Sequence, residues 1–197
     1  MKLHPDIIST EIIKPSSPTP SHLKTYKLSL LDQLSPNIYF PFIFFYSEAI
    51  IDSINIAKLL KSSLSETLTH YYPFAGQVQD DFSFVDCNDH GVPFIEAHIS
   101  NKIHEIMKNP DIDTLEELLP SKPSKKLSNR VNLAVQLNYF DCGGVAISVC
   151  FNHLVADATA AAYFVKNWST IALDSSNSAS TDINDVILDC TAMFPST

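Results

Sequence analysis

The chain has 197 residues, of which 45% are hydrophobic, enough for one sizeable core and a small satellite and too many for a disordered chain. Thirteen basic against twenty-two acidic residues give a formal charge of -9, which argues against a nucleic-acid partner, and Arg130 is the only arginine on offer to a phosphorylated ligand. No apolar run reaches bilayer length, Met1 to Ser9 lacks a signal-peptide core, and Cys87, Cys142, Cys150 and Cys190 show no CxxC spacing. A cytoplasmic protein with no membrane partner, no metal and no disulfide framework is the expectation.

In chain order, Lys14 to Pro20 reads as an extended surface segment, because its prolines restrict the backbone and remove donors. Tyr26 to Leu30 reads as a strand, and Ile38 to Tyr46 as another, with Pro41 placing it at an edge or a bulge. Ile56, Leu59, Leu60, Leu64 and Leu68 then recur at helical spacing behind Ser53, an N-cap candidate; Pro73 stops that helix and Gly76 supplies a turn. Phe82 to Val85 and Val92 to Ile95 flank a turn from Asp86 to Gly91, and Ile99 to Met107 and Thr114 to Leu119 read as short helices. Val131, Leu133, Val135, Leu137 and Tyr139 alternate with Asn132, Ala134, Gln136, Asn138 and Phe140; Asp141 to Gly144 turns the chain, and Val145 to Phe151 returns as the clearest hairpin. A helix from Ala158 to Leu173 buries Ala161, Phe164, Val165, Trp168 and Ile171 or Ala172. Asp174 to Asp182 reads as a surface link and Ile183 to Leu188 as one further strand. Alternating strands and helices predict an α/β or mixed α+β fold, and the hairpin excludes a purely parallel sheet.

The chemistry concentrates where the return strand ends, at Phe151-Asn152-His153-Leu154-Val155-Ala156-Asp157. His153 stands just past a strand, held by the sheet, and a near-neutral imidazole there suits a general base. Asp157 could orient that imidazole or cap the helix that follows, and because His153 falls before the helix the capping role is favoured. The remaining candidates are weaker. Asp86, Asn88, Asp89 and Gly91 imitate a calcium loop, but Ala97 occupies the position of the bidentate glutamate. Cys87 and His90 lack a second ligand pair, Gly143 and Gly144 precede a strand rather than a helix, and no G-x-S-x-G elbow offers a serine nucleophile. The aromatic cluster from Tyr39 to Tyr46 reads as core with one or two acceptor-lining rings, and the sequon Asn167-Trp168-Ser169 falls inside a helix.

Read together with blocks elsewhere in the chain, the segment from Phe151 to Asp157 resembles the active-site motif of the plant acyl-CoA-dependent acyltransferases called BAHD enzymes. Lys14 to Pro20, Ser29-Leu30-Leu31-Asp32, His70-Tyr71-Tyr72-Pro73-Phe74-Ala75-Gly76 and Gly91-Val92-Pro93-Phe94-Ile95-Glu96-Ala97 follow the family's order, and the chain looks most like its alkaloid O-acetyltransferases. The resemblance implies a chloramphenicol-acetyltransferase-like domain with a mixed, mainly antiparallel sheet flanked by helices. It implies transfer of an acyl group, acetyl above all, from acetyl-CoA or another acyl-CoA to a small-molecule alcohol acceptor, a plant specialised metabolite and above all an alkaloid. His153 would be the base and Asp157 a structural support; no cofactor would be permanently bound, and no covalent acyl-enzyme would form. Ala158 replaces the family's usual glycine, and Gln77 stands where a basic residue is common. Family members are about twice this length and carry an Asp-Phe-Gly-Trp-Gly segment that this chain lacks. Residues 1–173 are therefore expected to be the N-terminal acyltransferase domain. Residues 174–197 would begin the crossover to an absent C-terminal half, which could be a separate chain. The alternative is a non-catalytic truncated member acting in binding or regulation.

Overall fold

The computed structural model describes residues 3–47, 53–120, 131–174, 190, 191 and 193–195. The expected hairpin is its centre. Strands β7 (Leu133–Phe140) and β8 (Val145–Asn152) pair antiparallel from Leu133↔Phe151 to Tyr139↔Val145. Gly143 turns the tip with φ at +82°, a left-handed conformation that favours glycine. Strand β3 (Tyr39–Tyr46) lies antiparallel on the far side of β8, so Pro41 does sit on an edge strand. Strand β6 (Val92–Ile99) runs parallel to β7, and β1 (Asp6–Ile13) closes the other edge against β6. The five-stranded order is β1-β6-β7-β8-β3, a mixed sheet with one parallel junction. That parallel junction needs a crossover, and the segment between β6 and β7 contains α3 (Ile103–Lys108) and α4 (Ile112–Glu116).

Two long helices cover one face of the sheet. In α2 (Ser53–His70), Leu64 and Leu68 are fully buried; in α5 (Ala158–Asp174), Ala161, Phe164, Trp168 and Ile171 form the expected stripe. The ring of Phe164 meets Phe74 at 5.1 Å, Tyr71 at 5.2 Å and Phe151 at 5.6 Å, joining helix, turn and sheet in one aromatic core. Trp168 packs between the helices and donates its indole N–H to Ser63 Oγ at 3.0 Å. Asn167 donates to the Tyr71 hydroxyl at 2.7 Å, so the sequon asparagine is engaged in a packing contact. A three-stranded sheet, β2 (Thr25–Lys27), β5 (Phe84–Asp86) and β4 (Gln77–Val78), flanks the main body over Leu28, Val78, Val85 and Cys87.

Several elements differ from the sequence expectation. The strand expected over Tyr26 to Leu30 stops at Lys27, because Ser29 opens a short helix α1 (Leu30–Leu34) through a capping box with Asp32. Strand β1 has no counterpart among the expected elements, since an edge strand exposed on both sides carries no alternating pattern. Asp86 to Gly91 links two different sheets instead of joining paired neighbours. Asp89, at φ +55°, gives its carboxylate to Thr19 and to Lys24 (2.8 Å), so the apparent calcium loop ties down the proline-rich segment instead. Helix α3 begins only at Ile103 because β6 runs on to Ile99. Capping by Ser53, the link beyond Asp174 and the strand expected over 183–188 lie outside the described residues and side chains. Among the described residues no helix is long and apolar enough to cross a membrane, and no cluster of metal-ligating side chains forms.

A partly buried ion network fastens α2 to the sheet. Lys61 Nζ lies 2.7 Å from Glu96 Oε1 and 2.5 Å from Glu11 Oε1, while the Tyr139 hydroxyl donates to Glu96 at 2.7 Å and Ser9 at 3.0 Å. Burial alone would raise the Glu96 carboxyl; the hydrogen bonds from Lys61, Tyr139 and Ser9, with the Lys61 charge, outweigh burial and hold it below its ordinary value. A carboxyl depressed on folding stabilises above its unfolded value of 4.5, and that contribution is lost as pH falls through the lower folded value. Glu96→Gln is expected to lower stability near neutral pH by about 1–3 kcal/mol. Its urea midpoint should also fall less than the parent's on acidification below about pH 4.5. Parallel curves for the two proteins through that window would refute the assignment.

Candidate active site

Strand β8 runs between β7 and β3 and carries His153 immediately beyond its last residue. The His153 N–H donates to the Ile38 carbonyl at 2.9 Å, extending the β3–β8 ladder one step past Tyr39↔Asn152. The chain then turns at once, and Asn152 makes the turn. Its Oδ1 accepts the Leu154 N–H at 3.1 Å, and its carbonyl accepts those of Val155 and Ala156. The Asn152 N–H donates to the Asn132 carbonyl at 2.9 Å. Asn132 in turn donates its side-chain amide to the carbonyls of Pro73 (2.9 Å) and Gly76 (3.1 Å). Both asparagines are 1% exposed.

The block from His70 to Gly76 thus reaches the histidine through two buried asparagines that the sequence analysis did not single out. Asn132 stood there as an ordinary polar position in an alternating strand. The one available signal was an asparagine directly ahead of the histidine, at a strand end, where an Asx-turn fits. Gly76 is required by space: a Cβ there would lie 2.6 Å from the Asp86 carbonyl oxygen. Gln77, at the position where a basic residue was expected, accepts a hydrogen bond from Asn88 at 3.0 Å.

The imidazole of His153 packs edge-on against Phe40, centroids 5.2 Å apart at 62°, and Phe40 stacks on Phe151 at 5.7 Å. Nδ1 is buried without a hydrogen-bond partner, while the residue as a whole is only partly buried. With Nδ1 buried, Nε2 is the ring nitrogen left to meet a substrate, and in the neutral tautomer protonated at Nδ1 it carries the lone pair that a base needs.

Asp157 is exposed, and its carboxylate is engaged at the start of α5 rather than with His153. Its Oδ1 accepts the Ala160 N–H at 2.7 Å and its carbonyl accepts the Ala161 N–H at 3.0 Å, the geometry of an N-cap on α5. Among the described residues it forms no ion pair. Arg130 lies outside the described residues.

The aromatic cluster on β3 divides by face. Phe40 and Phe42 join the helix-side core with Phe151, whereas Ile43 and Phe45 pack on the opposite side. The Tyr39 hydroxyl donates to the Val131 carbonyl; burial first, then the charge of Cys150, pushes it up to about 12, so it stays protonated at neutral pH. Burial likewise raises the Cys87 thiol to about 12, which leaves it a poor nucleophile.

The profile of the Transferase family matches residues 3–188. Over 190 residues the chain is 55% identical to a limonoid 21-O-acetyltransferase of Citrus sinensis, an alignment covering 96% of this chain and 43% of that protein. Over 171 residues it is 44% identical to the stemmadenine O-acetyltransferase of Catharanthus roseus, covering 83% and 40%. The crystal structure of vinorine synthase superposes with a TM-score of 0.87 at 36% identity, covering 98% of this chain and 48% of that one. The chain thus spans less than half the length of these relatives.

Removing the cap with Asp157→Ala should cost about 1 kcal/mol in a urea melt of the chain, while Asp157→Asn or Asp157→Ser should recover most of it. Equal losses in all three variants would show that the carboxylate does something other than cap α5.

Proposed function

Because the chain belongs to the BAHD Transferase family of plant acyltransferases, we propose that it supplies the base-bearing part of an enzyme that acetylates a hydroxyl group of a polycyclic specialised metabolite. The observation that carries this reading is His153 itself, its backbone pinned at a strand end and its Nδ1 buried, which leaves Nε2 as the nitrogen to meet a substrate. Nε2 takes the proton of the acceptor hydroxyl as its oxygen attacks the thioester carbonyl of acetyl-CoA. The tetrahedral intermediate collapses, the C–S bond breaks, and the coenzyme A thiolate leaves and is protonated by the imidazolium. The transfer is direct, from thioester to acceptor oxygen, without an acyl-enzyme. Acetyl-CoA serves as a cosubstrate that enters and leaves, with no permanently bound cofactor.

Asp157 supports the site indirectly, by fixing the start of α5 and with it the far end of the turn that holds His153. A second half, of the length that the relatives possess and this chain does not, supplies the other wall of the site and much of the coenzyme A contact. The reaction belongs in the cytosol, where thiols such as Cys142 stay reduced. The acceptor we favour is a limonoid-type triterpenoid alcohol, on the 55% identity to a limonoid acetyltransferase; the 44% identity to an alkaloid acetyltransferase keeps an indole alkaloid alcohol as the second reading.

With acetyl-CoA and a 21-hydroxylated limonoid, the family-length protein should form the acetate ester, and His153→Ala should lower kcat by about 100- to 10,000-fold with the fold intact. Near-normal transfer by His153→Ala would remove His153 from the base role. Absence of transfer to any limonoid or alkaloid alcohol by the unaltered protein would favour a non-catalytic binding protein.

A further inference from the structure

On the acyl-transfer reading above, we propose that Ile38 is the residue against which the hydrocarbon skeleton of the acceptor lies, and so a determinant of acceptor specificity. The register makes the placement. Tyr39 stands opposite Asn152, and the hydrogen bond from the His153 N–H to the Ile38 carbonyl (2.9 Å) carries the pairing one residue further. Ile38 and His153 are therefore neighbours across the two strand ends, one step beyond the last registered pair. Phe40, two residues along the chain, touches the imidazole, so the ring lies against this end of β3.

The two neighbours of the ring have different tasks. Phe40 is partly buried, stacked on Phe151, and walls in the imidazole from the core side. Ile38 is 53% exposed, an apolar side chain standing in the open beside a histidine that is itself only partly buried. Its position is set before the strand begins, because the Ile38 N–H donates to the Pro36 carbonyl at 2.8 Å in a tight turn leaving α1. An alcohol whose oxygen comes within hydrogen-bond reach of Nε2 brings its carbinol carbon and the adjacent ring carbons onto this isoleucine. Contact with a hydrocarbon framework is favourable there; contact with a polyhydroxylated acceptor would leave its polar groups unpaired against a methyl-lined surface. The class selected is an alcohol on an apolar polycyclic skeleton.

The test is steady-state kinetics of the family-length protein with acetyl-CoA and a 21-hydroxylated limonoid, comparing the parent with Ile38→Leu, Ile38→Asn and His153→Ala. Ile38→Asn should raise the acceptor KM about tenfold or more, with the KM for acetyl-CoA and the melting temperature unmoved, while Ile38→Leu stays within about twofold of the parent. An unchanged acceptor KM in Ile38→Asn, or an equal rise for acetyl-CoA, overturns the inference while leaving the transfer reaction standing. A lowered melting temperature with unchanged acceptor KM also overturns it, by making Ile38 a packing residue. Transfer that survives His153→Ala, or no transfer by the parent, instead overturns the functional reading on which the inference rests.

Discussion

The candidate site depends on the buried pair Asn132 and Asn152. A central strand that ends inside a fold leaves backbone donors and acceptors without ladder partners, and in a low-dielectric interior each unpaired group is costly. Here the side chain of Asn152 takes up one amide of the turn, its carbonyl takes two more, and Asn132 satisfies two carbonyls of the turn that follows α2. Strand end, histidine and the His70–Gly76 block are thereby fixed to one another through hydrogen bonds that do not involve the imidazole. His153 inherits a defined backbone position without contributing its ring nitrogens to it, which leaves the ring for chemistry.

The turn after His153 also joins two cores. Leu154, 1% exposed, packs with Leu28, Val78, Val85 and Cys87 under the small sheet. Val155 touches both that cluster and the main core, and Ala156 belongs to the main core beneath α5. The histidine thus projects from a short segment whose other side chains are anchored in opposite directions. Such anchoring restricts backbone fluctuation at the residue proposed as the base, a role in which placement matters. Phe40 adds the side-chain part of the restraint, since a ring packed at 5.2 Å limits rotation of the imidazole.

The fold was largely legible where burial is one-sided and regular. Leu64 and Leu68 on α2, Phe164 and Trp168 on α5, and the alternation along β7 each report a face against a core, and periodicity finds such faces. Where that one-sidedness fails, so does legibility. Strand β1, with Ile7, Ile8 and Ile12 more than half exposed, has no inner face to mark it. Helix α1 is too short for periodicity and is visible only through its capping box, Ser29 with Asp32. Whether β5 and β6 share a sheet depends on what lies beside them in space, which no local pattern records. In the site, His153 and Asp157 were legible because their residue types are chemically conspicuous. Asn132, Asn152, Phe40 and Ile38 were not, because their roles arise from the register of β3 on β8 and from the approach of a turn 56 to 59 residues away in sequence.

That register also changes the meaning of the four-residue spacing from histidine to aspartate. In a single helix it would bring the two side chains together and suggest a chemical pair. Instead His153 closes a strand and Asp157 opens a helix, with Leu154, Val155 and Ala156 forming the reversal between them. The spacing is then the length of the turn that leads from the end of β8 into α5. Two independent local constraints, a strand-end Asx-turn and a helix N-cap, meet at fixed separation. The carboxylate shapes the site by where it starts a helix rather than by what it offers the imidazole.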